Sequence, residues 1–138
     1  MKMILASHGK LAEGMKDTLE MIVGKNENIY AFAAYSDGSE TKFLEDIQSL
    51  INGNQDEQIV IATDVLGGSV NNEMIQLLNR YPQVYLISGM NLPVIITLAT
   101  AVCPLTTEMI EEAISMGKEG VVFVNQLMKE NNEEEDLL

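Results

Sequence analysis

The sequence has no tryptophan, one cysteine and one histidine in 138 residues. Cys103 alone can form neither an internal disulfide nor a cysteine metal cluster, so the chain fits a reducing compartment. A single histidine among scattered carboxylates is too little for a metal site, and no cofactor motif stands in for one. The expectation is therefore a protein with no metal and no cofactor. Aromatic residues make up 5% of the chain, so the core must be aliphatic, with methionine as filler. Basic residues are scarce as well. Eight Lys and Arg stand against 21 Asp and Glu, a formal charge of -13. That leaves no basic face for nucleic-acid phosphates and favours protein partners with basic surfaces. No apolar run reaches the ~20 residues of a membrane span. Met1-Lys2 leads into a short strand-like segment, not the long apolar stretch of a signal peptide. These absences predict a cytoplasmic protein.

What is present is a regular alternation of short apolar runs and helical stripes. The length suggests one domain, with a core large enough to need no staples. That domain is expected over residues 1–125. Residues 126–138 carry Glu130, Glu133, Glu134, Glu135 and Asp136 and read as a flexible, solvated tail. Strands are expected over 3–7, 29–34, 58–63, 84–87 and, last and short, Val121 to Val124. Between them Leu11, Met15, Leu19, Ile22 and Val23 recur at helical spacing, with Gly24 as a stop. A second stripe runs through Phe43, Leu44, Ile47, Leu50 and Ile51, with Ser39 as a candidate N-cap. A third contains Met74, Ile75, Leu77 and Leu78. Pro93 opens a fourth helix to about Val102, and Thr106 or Thr107 caps a fifth that Gly117 and Gly120 break.

Alternating strands and helices predict an α/β sandwich of three layers around a mostly parallel sheet. The expected strand order is 2-1-3-4, with ligands at the switch point between strands 1 and 3, beyond their carboxyl ends. Two motifs fall there. Ile4-Leu5-Ala6-Ser7 ends on His8 and Gly9. Ile59-Val60-Ile61-Ala62-Thr63 ends on Asp64 and opens into Leu66-Gly67-Gly68-Ser69. An imidazole whose N–H is held by a carboxylate presents its other nitrogen as a nucleophile, and the carboxylate balances the charge that develops on the ring. Gly67, Gly68 and Ser69, at the start of a helix, suit a phosphate whose oxygens need backbone N–H donors. Taken singly, a histidine at a strand end, an aspartate capping a turn and a glycine pair are all commonplace; the fold places them in one crevice. Ser7 and Ser36 have no evident role. Neither G-x-G-x-x-G nor G-x-x-x-x-G-K-[ST] follows a strand, so nucleotide binding is not indicated. A receiver domain would need an acidic pair after strand 1 and a lysine after the last strand; Ser7-His8 and Asn125 stand there.

His8-Gly9-x-Leu11-Ala12-x-Gly14, Thr63-Asp64-x-x-Gly67-Gly68-Ser69 and Ser88-Gly89-x-Asn91-Leu92-Pro93 resemble the IIA component of the mannose/fructose/sorbose family of the sugar phosphotransferase system. The resemblance covers nearly the whole chain. It implies a homodimer in which a C-terminal strand, here Val121 to Val124, is exchanged between protomers. It also implies a phosphoryl group accepted from phospho-HPr on His8 Nε2 and passed to a IIB component. Asp64 then matches the histidine-orienting aspartate, and Gly68-Ser69 the phosphate-cradling amides. The chain departs from the family at Val70-Asn71-Asn72, where many members read Pro-Phe-Asn or Pro-Ala-Asn. That departure predicts a looser start to the third helix and an altered partner surface. A similar domain serves dihydroxyacetone kinase, but Gly9 and Asn91-Leu92-Pro93 fit the sugar family better. The alternative is a regulatory module of the same fold that does not feed a transporter.

Overall fold

Strand β1 (Lys2–His8) is buried from Met3 to Ser7, as a strand covered on both faces must be. Its side chains alternate between two cores. Met3 and Leu5 join one, Ile4 and Ala6 the other. The computed structural model describes residues 1–35 and 42–137. The remaining elements are α1 (Leu11–Val23), β2 (Ile29–Ala34), α2 (Lys42–Asn52), β3 (Ile59–Thr63), α3 (Ser69–Arg80), β4 (Tyr85–Ser88), α4 (Leu92–Ala99), α5 (Thr107–Glu119) and α6 (Val124–Leu137). Ser36 and the expected cap Ser39 lie outside the described residues.

Among the described residues the sheet has four strands in the order β2-β1-β3-β4, all parallel. The expected sandwich and strand order are thus present. On one face Leu19 of α1, Val94, Ile95 and Leu98 of α4, and Ile110 and Ala113 of α5 pack on Met3, Leu5, Val60, Ala62 and Ile87. On the other, Phe43, Ile47 and Ile51 of α2 and Val70, Met74 and Leu77 of α3 pack on Ile4, Ala6 and Ile61. The core is aliphatic with methionine filling, as the composition requires.

Capping sets the ends nearest the site. Ser7 Oγ accepts the Ala12 N–H at 2.7 Å and so fixes the entry to α1, which gives a role to a serine that the sequence left without one. Asn91 Oδ1 accepts the Val94 N–H at 3.1 Å, with Pro93 in the first turn of α4. Thr106 accepts the Met109 N–H at 3.2 Å and caps α5.

Three expectations need correction. The fifth strand is not formed: residues 121–123 have no regular structure, and Val124 opens α6, which is exposed at every position described for it. With no strand paired to it among the described residues, this segment lacks the ladder partners that a strand requires. Helix α4 ends at Ala99, short of Val102. Gly117 does not break α5 but lies buried inside it, and Gly120 follows as the C-cap. The Gly117 carbonyl accepts Asn91 Nδ2–H at 2.8 Å, so the missing side chain lets α5 close onto the start of α4.

Candidate active site

The register of β1 on β3 pairs Ala6 with Thr63. His8 at the end of β1 and Asp64, one residue past β3, therefore emerge side by side. Asp64 Oδ2 accepts the His8 backbone N–H at 3.0 Å and lies 2.8 Å from His8 Nδ1. Its Oδ1 accepts the Val65 N–H at 3.0 Å. The carboxylate is 7% exposed and the imidazole 45% exposed, so the anchor is buried and the ring is open to a partner. Burial pushes the Asp64 carboxyl up, but the His8 side-chain and backbone hydrogen bonds, the charge of His8 and the Val65 N–H together outweigh it. Asp64 is held below its usual value and is ionised near neutral pH.

An ionised carboxylate can only accept, so His8 Nδ1 carries the proton in the neutral ring and Nε2 carries the lone pair. Ser69 Oγ lies 3.0 Å from Nε2 and donates to it. The Tyr35 hydroxyl in turn donates to Ser69 Oγ at 3.1 Å. The hydrogen bonds therefore run in one direction, from Tyr35 through Ser69 to Nε2 and, across the ring, from Nδ1 to Asp64.

The glycine turn forms the near wall. Gly67 has φ +81°, the left-handed region that favours glycine. A Cβ on Gly68 would stand 3.3 Å from His8 Cε1, so Gly68 is there for close approach. The Gly68 amide is turned onto the Val65 carbonyl at 3.2 Å, whereas those of Gly67 and Ser69 have no acceptor among the described residues. Ser69 is the first residue of α3, so the positive end of the helix dipole lies at the residue whose hydroxyl touches the ring.

Asp64, Gly68 and Ser69 thus lie against His8 at the switch point, with Gly67 next to them in the turn; the Gly68 amide, expected to cradle a phosphate with that of Ser69, is instead engaged by Val65. Three supporting groups were missed. Tyr35 follows Ala34, the register partner of His8 on β2, and its ring centroid is 5.7 Å from that of His8. Thr63 donates to Asn71 Oδ1 at 2.8 Å, which ties the end of β3 to the first turn of α3. Strand order and register were the available signal for Tyr35; no local motif marks Asn71. Val70 and Asn71 are 0% and 1% exposed, which corrects the expectation that they alter a partner surface. They face the core, and it is Asn72 that is exposed. Among the described residues no three His, Cys, Asp or Glu side chains gather in metal-binding positions.

The family model for the fructose IIA component of the phosphotransferase system matches residues 2–115. A sorbose-specific EIIA component of Klebsiella pneumoniae is 34% identical over 95 residues, spanning 69% of this chain and 70% of that protein. A crystal structure from Klebsiella pneumoniae subsp. pneumoniae MGH 78578, assigned to a phosphoenolpyruvate-dependent sugar phosphotransferase system permease, superposes with TM-score 0.82 at 35% identity, covering 92% of this chain and 93% of that one. A mannose/sorbose-specific IIA subunit from Enterococcus faecalis gives TM-score 0.75 at 25% identity, covering 88% and 92%. The chain belongs to the IIA components of the sugar phosphotransferase system. Within that system it is a member of the mannose/sorbose family.

Proposed function

We propose that this protein is a cytoplasmic phosphocarrier, accepting a phosphoryl group from phospho-HPr on His8 Nε2 and passing it to a IIB component. The observation that carries this reading is the 2.8 Å bond between His8 Nδ1 and Asp64, which leaves Nε2 as the attacking nitrogen. In the transfer the Nε2 lone pair forms a bond to phosphorus. The bond from phosphorus to the donor breaks and its electron pair leaves with the donor group. The Nδ1 proton stays in place, and the positive charge gained by the ring is matched by Asp64. The incoming oxygens carry spread negative charge, which the unengaged amides of Gly67 and Ser69, with the α3 dipole behind them, receive in this reading. Ser69 turns its hydroxyl from Nε2 to one of those oxygens.

Membership of the family supports the cytoplasmic reading. A homodimer completes it. Val121 and Phe123 are 76% and 72% exposed, and Val122, Val124, Leu127 and Met128 are exposed with them, beside a sheet that ends on β4. This segment is suited to cover by a second copy.

The test is phosphate incorporation from phosphoenolpyruvate with Enzyme I and HPr, on wild type and His8→Ala. Acid-labile label on wild type alone, chased off by a IIB component, supports the carrier. Label that no IIB component removes would favour a regulatory module, and no label on either protein would refute the carrier.

A further inference from the structure

The phosphocarrier reading leaves Tyr35 without a task, yet its position is constrained from three sides. Its backbone has φ +66°, a left-handed conformation that a bulky side chain seldom adopts and that marks a functional candidate when the surroundings enforce it. Its ring meets Phe43 edge-on at 5.8 Å, and Phe43 is itself buried in the α2 core. Its hydroxyl ends 3.1 Å from Ser69 Oγ. Strand β2 brings it there, since Ala34 pairs with His8 and also accepts the Gly9 N–H at 3.2 Å.

Resting on that reading, we infer that Tyr35 is a positioning residue. Acting through Ser69, it directs the serine hydroxyl hydrogen first at His8 Nε2 and then at the phosphoryl oxygen. A serine hydroxyl has one hydrogen and two lone pairs. With Tyr35 donating to a lone pair, the oxygen is fixed and its hydrogen is left for the site. A hydroxyl that accepts a hydrogen bond is also polarised into a stronger donor. Without Tyr35 the serine is free to turn toward water, and both the resting Nε2 and the arriving phosphoryl oxygen lose an aligned donor. Tyr35 does not reach the phosphorus in this scheme; it acts only on the orientation of Ser69.

Tyr35→Phe keeps the ring, its contact with Phe43 and the backbone, and removes one oxygen. Phosphoryl transfer from phospho-HPr should slow about fivefold, close to ~1 kcal/mol at 1.36 kcal/mol per tenfold. The His8 Nε2 nitrogen resonance of the unphosphorylated protein should move toward that of a free imidazole nitrogen. In a Ser69→Ala background the same change should have no further effect on either readout, because the route through Ser69 is gone. An unchanged rate and resonance in Tyr35→Phe, or effects of the two substitutions that add, would overturn the inference. If wild type takes no label at all, the carrier reading fails instead. The resonance of the resting ring still decides the relay: movement in Tyr35→Phe that vanishes with Ser69→Ala upholds it, and none overturns it.

Discussion

Asp64 shows how much chemistry one atom pattern decides. Both of its oxygens are used, Oδ2 by two donors of His8 and Oδ1 by Val65. Asp64→Asn keeps the shape but can present an amide N–H to Nδ1, moving the ring proton to Nε2 and removing the attacking lone pair. Transfer should fall by on the order of 10²-fold or more, as wrong-tautomer substitutions do elsewhere, with the fold retained by circular dichroism. The same carboxylate predicts a pH dependence. Its folded value lies below its unfolded one, so the stability it contributes is fully present above the ordinary carboxylate value of about 3.9 and is lost as pH falls through the lower folded value. Denaturant titrations of wild type and Asp64→Asn between pH 7 and 2 should show a gap that closes only in that acid range. A gap that closed near pH 6 would assign the linkage to another group. At this scale the sequence was legible wherever a residue acts through its own strand end. His8, Asp64 and the glycine turn stood out because each follows an apolar run. Tyr35 did not, because its meaning depends on β2 lying beside β1 in register, and nothing in its neighbours signals that. Asn71 was read as surface because its buried partner, Thr63, lies on another element.

Among the elements, the glycines separate local from tertiary causes. Gly24 ends α1 as the sequence suggests, but Gly117, which reads as a break, lies inside α5 for a packing reason. A Cβ there would meet Val94 Cβ at 3.0 Å and Asn91 Oδ1 at 3.1 Å. Alanine ordinarily gains up to about 1 kcal/mol over glycine within a helix. Here the gain is opposed by contact with a branched carbon close to the α4 backbone and by displacement of the Asn91 cap. Overpacking of this kind costs about 1–3 kcal/mol, so Gly117→Ala should lower stability despite its better propensity. Thermal unfolding reads the sign directly, and a raised Tm would mean that the two helices separate more readily than their packing indicates. The last strand was illegible for a related reason. Val121-Val122-Phe123-Val124 has β-forming residues throughout, but a strand needs a neighbour, and none pairs with it among the described residues.

For the whole molecule, the exposed apolar segment before α6 predicts self-association. Sedimentation at micromolar concentration should give a dimer, and Phe123→Asp should shift it toward monomer while leaving the circular dichroism of the α/β domain in place. A monomeric wild type would show that this segment stays uncovered. Fold class was the most legible level, because strand and helix periods are local and the right-handed crossover then leaves few arrangements. The chain has one histidine, and its ring stands on an open face with the carboxylate beneath it. The proposed carrier has one landing place for two visitors. Donor and acceptor must take turns, so turnover should follow ping-pong kinetics, with either protein in excess acting as a competitive inhibitor of the other.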